Sequence, residues 1–153
     1  MSYFIVFEGI DGSGKSTQAE ILHKYLLKHN KEVILTQEPW NGGLRKQIKE
    51  AIKSYSASES DILNMFLEDR TNHLDQLIIP SLEQGIPVTC DRYLYSTLAY
   101  QQSKFPLDYL VKVSRLHLKA DLCLYVDVPV EVGLHRIRSA QREEDDKSER
   151  YEN

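Results

Sequence analysis

The chain is poor in cysteine, and that sets a first boundary. Two cysteines in 153 residues, Cys90 and Cys123, cannot staple a disulfide scaffold. Both fall in apolar, strand-prone runs, so we expect buried free thiols in a reducing cytoplasm rather than a disulfide or a metal site. Net positive charge is also lacking, with 19 basic residues against 23 acidic ones. A net charge of −4 excludes bulk electrostatic attraction to nucleic acid or to an anionic membrane. No apolar run approaches the length that spans a bilayer. The first residues lead straight into a strand-like run, with no basic leader. No repeat and no interdomain linker is visible. With 41% hydrophobic and 27% charged residues, a single soluble domain over residues 1–153 is expected.

What is present starts at residue 9. Gly9-Ile10-Asp11-Gly12-Ser13-Gly14-Lys15-Ser16-Thr17 fits G-x-x-x-x-G-K-[ST], the phosphate-binding P-loop signature. An apolar, β-prone run at 3–7 precedes it. Helical spacing at 18–29, through Ile21, Leu22, Tyr25 and Leu26, follows it. This strand-loop-helix context is what gives the motif a mechanism. A helix N-terminus presents unpaired N–H groups and partial positive charge, and glycines let the backbone approach phosphate oxygens. Lys15 is expected to reach the terminal phosphates, and the Ser16 hydroxyl to ligate Mg²⁺.

Further along, 31–36 reads as a second strand, 44–55 as a helix, and Ser56 to Ser60 as a polar break that can cap the next helix. A long helical pattern runs from 61 to 84, kinked or split at Pro80 and ended by Gly85. Strands at 86–90 and 121–127 and helices at 94–102, 107–118 and 130–140 follow. The segment 141–150 is charged and lacks an apolar face. Strands alternating with helices predict an α/β fold of the P-loop NTPase type, with a mostly parallel four-stranded sheet between helical layers. Ligands then bind at the carboxyl ends of the strands. The P-loop, Gln37-Glu38-Pro39 and Asp91-Arg92-Tyr93 all fall there and should meet in one cleft. Asp91 stands where such proteins hold Mg²⁺, and Arg92 beside it can bridge phosphates with a two-pronged fork.

Longer motifs narrow the reading. Phe-Glu-Gly-Ile-Asp-Gly-Ser-Gly-Lys-Ser-Thr-Gln at 7–18, Glu38-Pro39, Phe66-x-x-x-Arg70 and Asp91-Arg92-Tyr93-x-x-Ser96-Thr97-x-Ala99-Tyr100-Gln101 resemble the thymidylate kinase family. Val128-Pro129-x-x-Val132-Gly133-Leu134-x-Arg136-x-Arg138 is similar to that family's run into its lid, here about 136–150. The resemblance implies Mg²⁺-assisted transfer of the ATP γ-phosphoryl to dTMP, giving dTDP. It implies that Phe66 stacks on thymine, Arg70 donates to a base carbonyl, and Thr97 and Gln101 bond the base edge. Tyr100 would crowd a 2′-hydroxyl, Asp11 would accept from the 3′-hydroxyl, and Glu38 would sit near the acceptor phosphate and metal. Arg92 would hold the dTMP phosphate in line. Lys15 and a lid arginine, Arg138 or Arg142, would stabilise the transferring phosphoryl. Some members carry an arginine inside the P-loop; Gly12 at that position points to the lid-arginine type. A homodimer through helices around the long central one is a further implication, with Leu74, Leu77 or Leu116 as contacts.

Departures from the family pattern are local. Gln37 stands where an arginine usually precedes Glu-Pro, and Trp40-Asn41 replaces a glycine pair. Lys49 stands where an arginine often contacts the acceptor phosphate, keeping charge but losing the fork. The family normally continues beyond the Glu-Arg-Tyr-Glu run at 149–152 with a helix, a fifth strand and a final helix, which the sequence to Asn153 does not include. Two other readings remain open: a kinase for dUMP, UMP or CMP, and a nucleotide-binding module without transfer. A GTPase switch is disfavoured, since nothing resembles a guanine-reading Asn-Lys-x-Asp.

Overall fold

The computed structural model describes residues 2–29 and 32–151, with side chains described as far as residue 140. Strand β1 spans Phe4–Glu8, and helix α1, Lys15–Leu27, starts inside the glycine loop. Strand β2 is Ile34–Gln37 and helix α2 is Arg45–Ser54. Helix α3, Glu59–His73, runs into a π-helical turn at Leu74–Ile78 and on into α4, Ile79–Glu83. Then come β3 (Val88–Asp91), α5 (Leu94–Gln101), α6 (Leu107–Ser114), β4 (Leu122–Tyr125) and α7 (Val130–Tyr151).

All four strands are parallel, in the order β2-β3-β1-β4. The chain leaves β1 to one side, returns at β3, and crosses to the other side at β4. That reversal opens a crevice at the carboxyl ends of β1 and β3, where register sets Phe7 opposite Asp91. Alternation along the strands builds two covered faces. Phe4, Val6, Val88 and Cys90 form one buried cluster with Leu74, Ile78 and Tyr93; α1, whose Ala19 is buried, covers the other face. Leu74 is thus part of the core.

The long helix is not one uniform α-helix. Pro80 has no N–H for the i−4 ladder, and just before it the Ile79 N–H reaches back to the Leu74 carbonyl, five residues away. Serine caps the start of α3 as expected: Ser58 accepts from the Asp61 N–H and Asp61 accepts from the Ser58 N–H. Helix α6 stops at Ser114, short of the predicted 118. α7 carries helical backbone through the charged stretch to Tyr151. The expectation that both cysteines are buried holds only for Cys90. Cys123 is exposed, because β4 is an edge strand whose four residues are all exposed. The apolar face of α1 is also incompletely covered, with Ile21 and Tyr25 both exposed.

Candidate active site

The phosphate end of the crevice is built by backbone geometry. Gly14 sits in the left-handed region at the N-cap of α1, and no side chain caps that helix. Its first N–H groups therefore remain available to an anion. Gly12 has φ 75°, and a Cβ there would lie 2.3 Å from the Gly133 carbonyl oxygen at the start of α7. Glycine at 12 thus serves both the turn and the close approach of α7. Lys15 is buried, donates to the Ile10 carbonyl at 3.2 Å, and lies 3.6 Å from Asp11. Burial, and then the nearby Arg92 charge, hold its pKa below the ordinary lysine value although Asp91 and Asp11 oppose this.

Register puts the end of β3 beside this loop. The Ser16 hydroxyl donates to Asp91 Oδ2, while Asp91 Oδ1 is buried and has no hydrogen-bond partner among the described residues. A hydroxyl joined to a carboxylate with an oxygen to spare suits a hard cation completed by phosphate and water. Among the described residues no group of three His, Cys, Asp or Glu forms a protein-only cage.

Arg92 occupies a positive-φ position, 72°, unusual for a side chain of its size. It pairs with Asp11, lies over the Tyr100 ring at 5.4 Å and donates to Ser96 Oγ at 3.0 Å. Burial works against the guanidinium charge, but Tyr100 and Asp11 outweigh it and raise its pKa. Burial likewise works against ionised Asp11; Arg92 and Lys15 win, and its pKa is lowered. One exposed carboxylate thus bridges the two cations that face the P-loop and the crevice.

Beyond Arg92 the crevice widens into a cavity of about 310 Å³ lined by Asp11, Glu38, Phe66, Arg70, Arg92, Thr97, Tyr100 and Gln101, with Ile52 and Pro39 among its apolar walls. Arg70 is 2% exposed. It donates to Glu38 Oε2 through Nε (2.9 Å) and Nη2 (2.6 Å), and Nη2 also donates to the Tyr93 carbonyl and Thr97 Oγ1. Burial opposes its charge; Glu38 more than compensates, so its pKa is raised. Glu38 also meets buried His73, which bonds Thr36 and stacks on Trp40 with ring centroids 5.3 Å apart. Arg70 Nη1 and Gln101 Oε1 are both buried without a partner among the described residues.

The family model described as thymidylate kinase matches residues 7–153. The chain belongs to the thymidylate kinase family. A probable thymidylate kinase of Pyrococcus horikoshii is 40% identical over 143 residues, covering 89% of this chain and 70% of that protein. The thymidylate kinase of Carboxydothermus hydrogenoformans is 40% identical over 155 residues, covering 96% and 75%. The crystal structure of thymidylate kinase from Ehrlichia chaffeensis superposes with a TM-score of 0.72 at 32% identity, covering 95% of this chain and 87% of that one.

The residues singled out by their resemblance to the thymidylate kinase family divide into three groups. Asp11, Glu38, Phe66, Arg70, Arg92, Thr97, Tyr100 and Gln101 share the cavity, and Lys15, Ser16 and Asp91 gather at its phosphate end. Glu38 is committed to Arg70 rather than standing free toward a metal. Lys49 and Arg138 are exposed, on α2 and α7, and Lys49 is not among the residues lining the cavity. The side chain of Arg142 lies outside the described residues. Arg136 was not singled out, yet it donates to the Gly12 and Ser13 carbonyls, at 3.1 and 3.2 Å. Its signal in the sequence was membership of the arginine cluster entering the lid. Nothing in the sequence pattern distinguished it from its neighbours, because the choice depends on how α7 meets the P-loop.

Proposed function

We propose that the chain transfers the γ-phosphoryl of ATP to dTMP, giving ADP and dTDP, in the supply of dTTP. One observation favours a thymine- or uracil-type base over cytosine. The cavity next to Arg92 keeps two buried polar atoms in need of partners, a donor at Arg70 Nη1 and an acceptor at Gln101 Oε1. A thymine imide edge offers a carbonyl to the first and an N3–H to the second. Cytosine held in the same pose sets its amino group against the Arg70 donor and its unprotonated N3 against the Gln101 acceptor, leaving both buried groups unpaired, and such mismatches are strongly discriminating.

The remaining roles follow from position. Phe66 gives the base an aromatic wall and Tyr100 flanks the sugar. Arg92 holds the acceptor phosphate, exchanging its contact with Asp11 for the ligand, and Asp11 is then free to accept from the 3′-hydroxyl. The P-loop amides and Lys15 hold the donor phosphates. Ser16 and Asp91 would hold Mg²⁺, whose charge offsets that of the ATP phosphates when bound. The attacking phosphate oxygen is already anionic, so no side chain need remove a proton. Catalysis then rests on alignment and charge stabilisation. Arg136 joins Arg138 and Arg142 as a candidate lid cation, with a contact to the P-loop in its favour.

The single domain is completed by a lid on α7, and the working form is a homodimer. A groove beside α3 and α6, lined by Leu67, Tyr109, Val113 and Leu116, supports that assembly, with Leu116 86% exposed. No helix among the described residues is long and apolar enough to cross a membrane, in keeping with a cytoplasmic enzyme.

The test is ADP release from ATP and Mg²⁺ with dTMP, dUMP, UMP, CMP or no acceptor. Turnover should depend on dTMP, and Arg92→Ala should abolish it while ATP binding and the circular dichroism spectrum stay unchanged. Turnover equal with every acceptor, or none with any, contradicts the reading.

A further inference from the structure

Glu8, the last residue of β1, is buried at 4% exposure, and none of the roles above uses it. Among the described residues, the partners of its carboxylate all lie on the segment that carries Arg92. Oε1 accepts the Tyr93 N–H at 2.9 Å and the Ser96 N–H at 3.1 Å; Oε2 accepts the Ser96 hydroxyl at 2.6 Å. The same Ser96 oxygen accepts from Arg92 Nη1 at 3.0 Å. A chain therefore runs from a buried carboxylate through a hydroxyl to a guanidinium. Donating toward Glu8 leaves the Ser96 oxygen electron-rich on the side that meets Arg92, and linked hydrogen bonds of this kind polarise one another. The two backbone N–H contacts grip Tyr93, next to Arg92, and Ser96 in the first turn of α5; the Arg92 φ of 72° is one that a side chain of that size adopts only under external constraint. Asp11, the other partner of Arg92, is exposed and sits where the ligand must arrive. It therefore cannot be what holds the guanidinium once a phosphate is bound.

We propose that Glu8 is a positioning residue for the acceptor phosphate, acting through Ser96 and the Arg92 turn to keep the Arg92 guanidinium oriented with or without ligand. This rests on the assignment of Arg92 to the dTMP phosphate. Glu8→Gln retains the size and one carbonyl-type acceptor for the two N–H groups. Its amide must instead donate to Ser96 Oγ, which removes the acceptor for the serine proton and the charge behind the relay. The loss should fall on phosphate recognition alone.

The experiment is calorimetric titration of dTMP and of thymidine, which lacks the phosphate, into wild type, Glu8→Gln, Ser96→Ala, Arg92→Ala and the Glu8→Gln/Arg92→Ala double variant. Arg92→Ala tests the underlying assignment: it should weaken dTMP at least about tenfold and thymidine little. Glu8→Gln should weaken dTMP by roughly three- to tenfold, leave thymidine within about twofold, and add nothing in the Arg92→Ala background. A structural lesion would weaken both ligands together. Equal losses for the two ligands, unchanged dTMP affinity, or a further loss in the double variant overturns the proposal. Should Glu8→Gln fail to fold, Ser96→Ala, which cuts the middle of the relay, decides by the same comparison of dTMP with thymidine. If Arg92→Ala leaves the preference for dTMP over thymidine intact, the assignment of Arg92 itself is wrong, and the role of Glu8 falls with it.

Discussion

Arg70 is both buried and part of the cavity lining. Its guanidinium is buried, and two of its hydrogen bonds end on one oxygen of Glu38. Removing one partner of such a pair strands a buried charge, at a cost of about 3–5 kcal/mol. Arg70→Ala should lose about that much in a denaturant titration, and Glu38→Gln added to it should recover part of the loss, since the stranded carboxylate is then gone. Strictly additive losses would contradict the pairing. Lys15 makes a pH prediction. In the free protein, burial and Arg92 depress its pKa below 10.5. A bound phosphate restores the charged form, so ATP binding takes up a proton at alkaline pH. ATP affinity should therefore fall as pH rises, beginning below 10.5, and a Lys15→Arg protein, charged throughout, should show no such fall. At this scale the meeting of the P-loop, Asp91 and Arg92 in one cleft was legible because motif spacing and strand ends place them there. The placements of Glu8, His73 and Arg136 were not, because their contacts are with partners 35 to 124 positions away in sequence.

Elements were legible in type and less so in extent. A helix over residues 61–84 was visible from its apolar spacing, against the observed 59–83, but spacing does not reveal that the ladder widens at Leu74–Ile78, just before Pro80. The capping serine could be narrowed only to a run of five until Ser58 was seen bonded to Asp61. Ser58→Ala should lower stability by about 1 kcal/mol, read from the denaturation midpoint, without changing either substrate's KM. The contact between α7 and the P-loop gives a functional counterpart. A Cβ on Gly133 would lie 2.8 Å from the Asp11 carbonyl oxygen, so Gly133→Ala should push the start of α7 away from the phosphate loop. We expect KM for ATP to rise several-fold with the stability midpoint little changed. An unaltered KM would show that the contact is incidental to nucleotide binding.

For the molecule as a whole, alternating strands and helices were enough to infer a parallel sheet, and strand ends were enough to infer one cleft. The strand order β2-β3-β1-β4 was not legible, since it is decided by which neighbours bury β1 on both sides. Nor was the exposure of β4, whose apolar sequence reads like a buried strand while Leu122 and Tyr125 remain 48% and 67% exposed. Exposed apolar edges invite association. Light scattering should rise with concentration more steeply for the wild type than for a Leu122→Lys/Tyr125→Lys protein, and identical curves would show that this edge is not sticky. The central claim is that the cavity beside the P-loop reads a thymine-type base through Arg70 and Gln101. The most direct measurement is a competition of dTMP and dCMP at equal concentration in one reaction with ATP and Mg²⁺, the diphosphate products separated and counted. dTDP is expected in large excess over dCDP. Comparable amounts of the two products would contradict it.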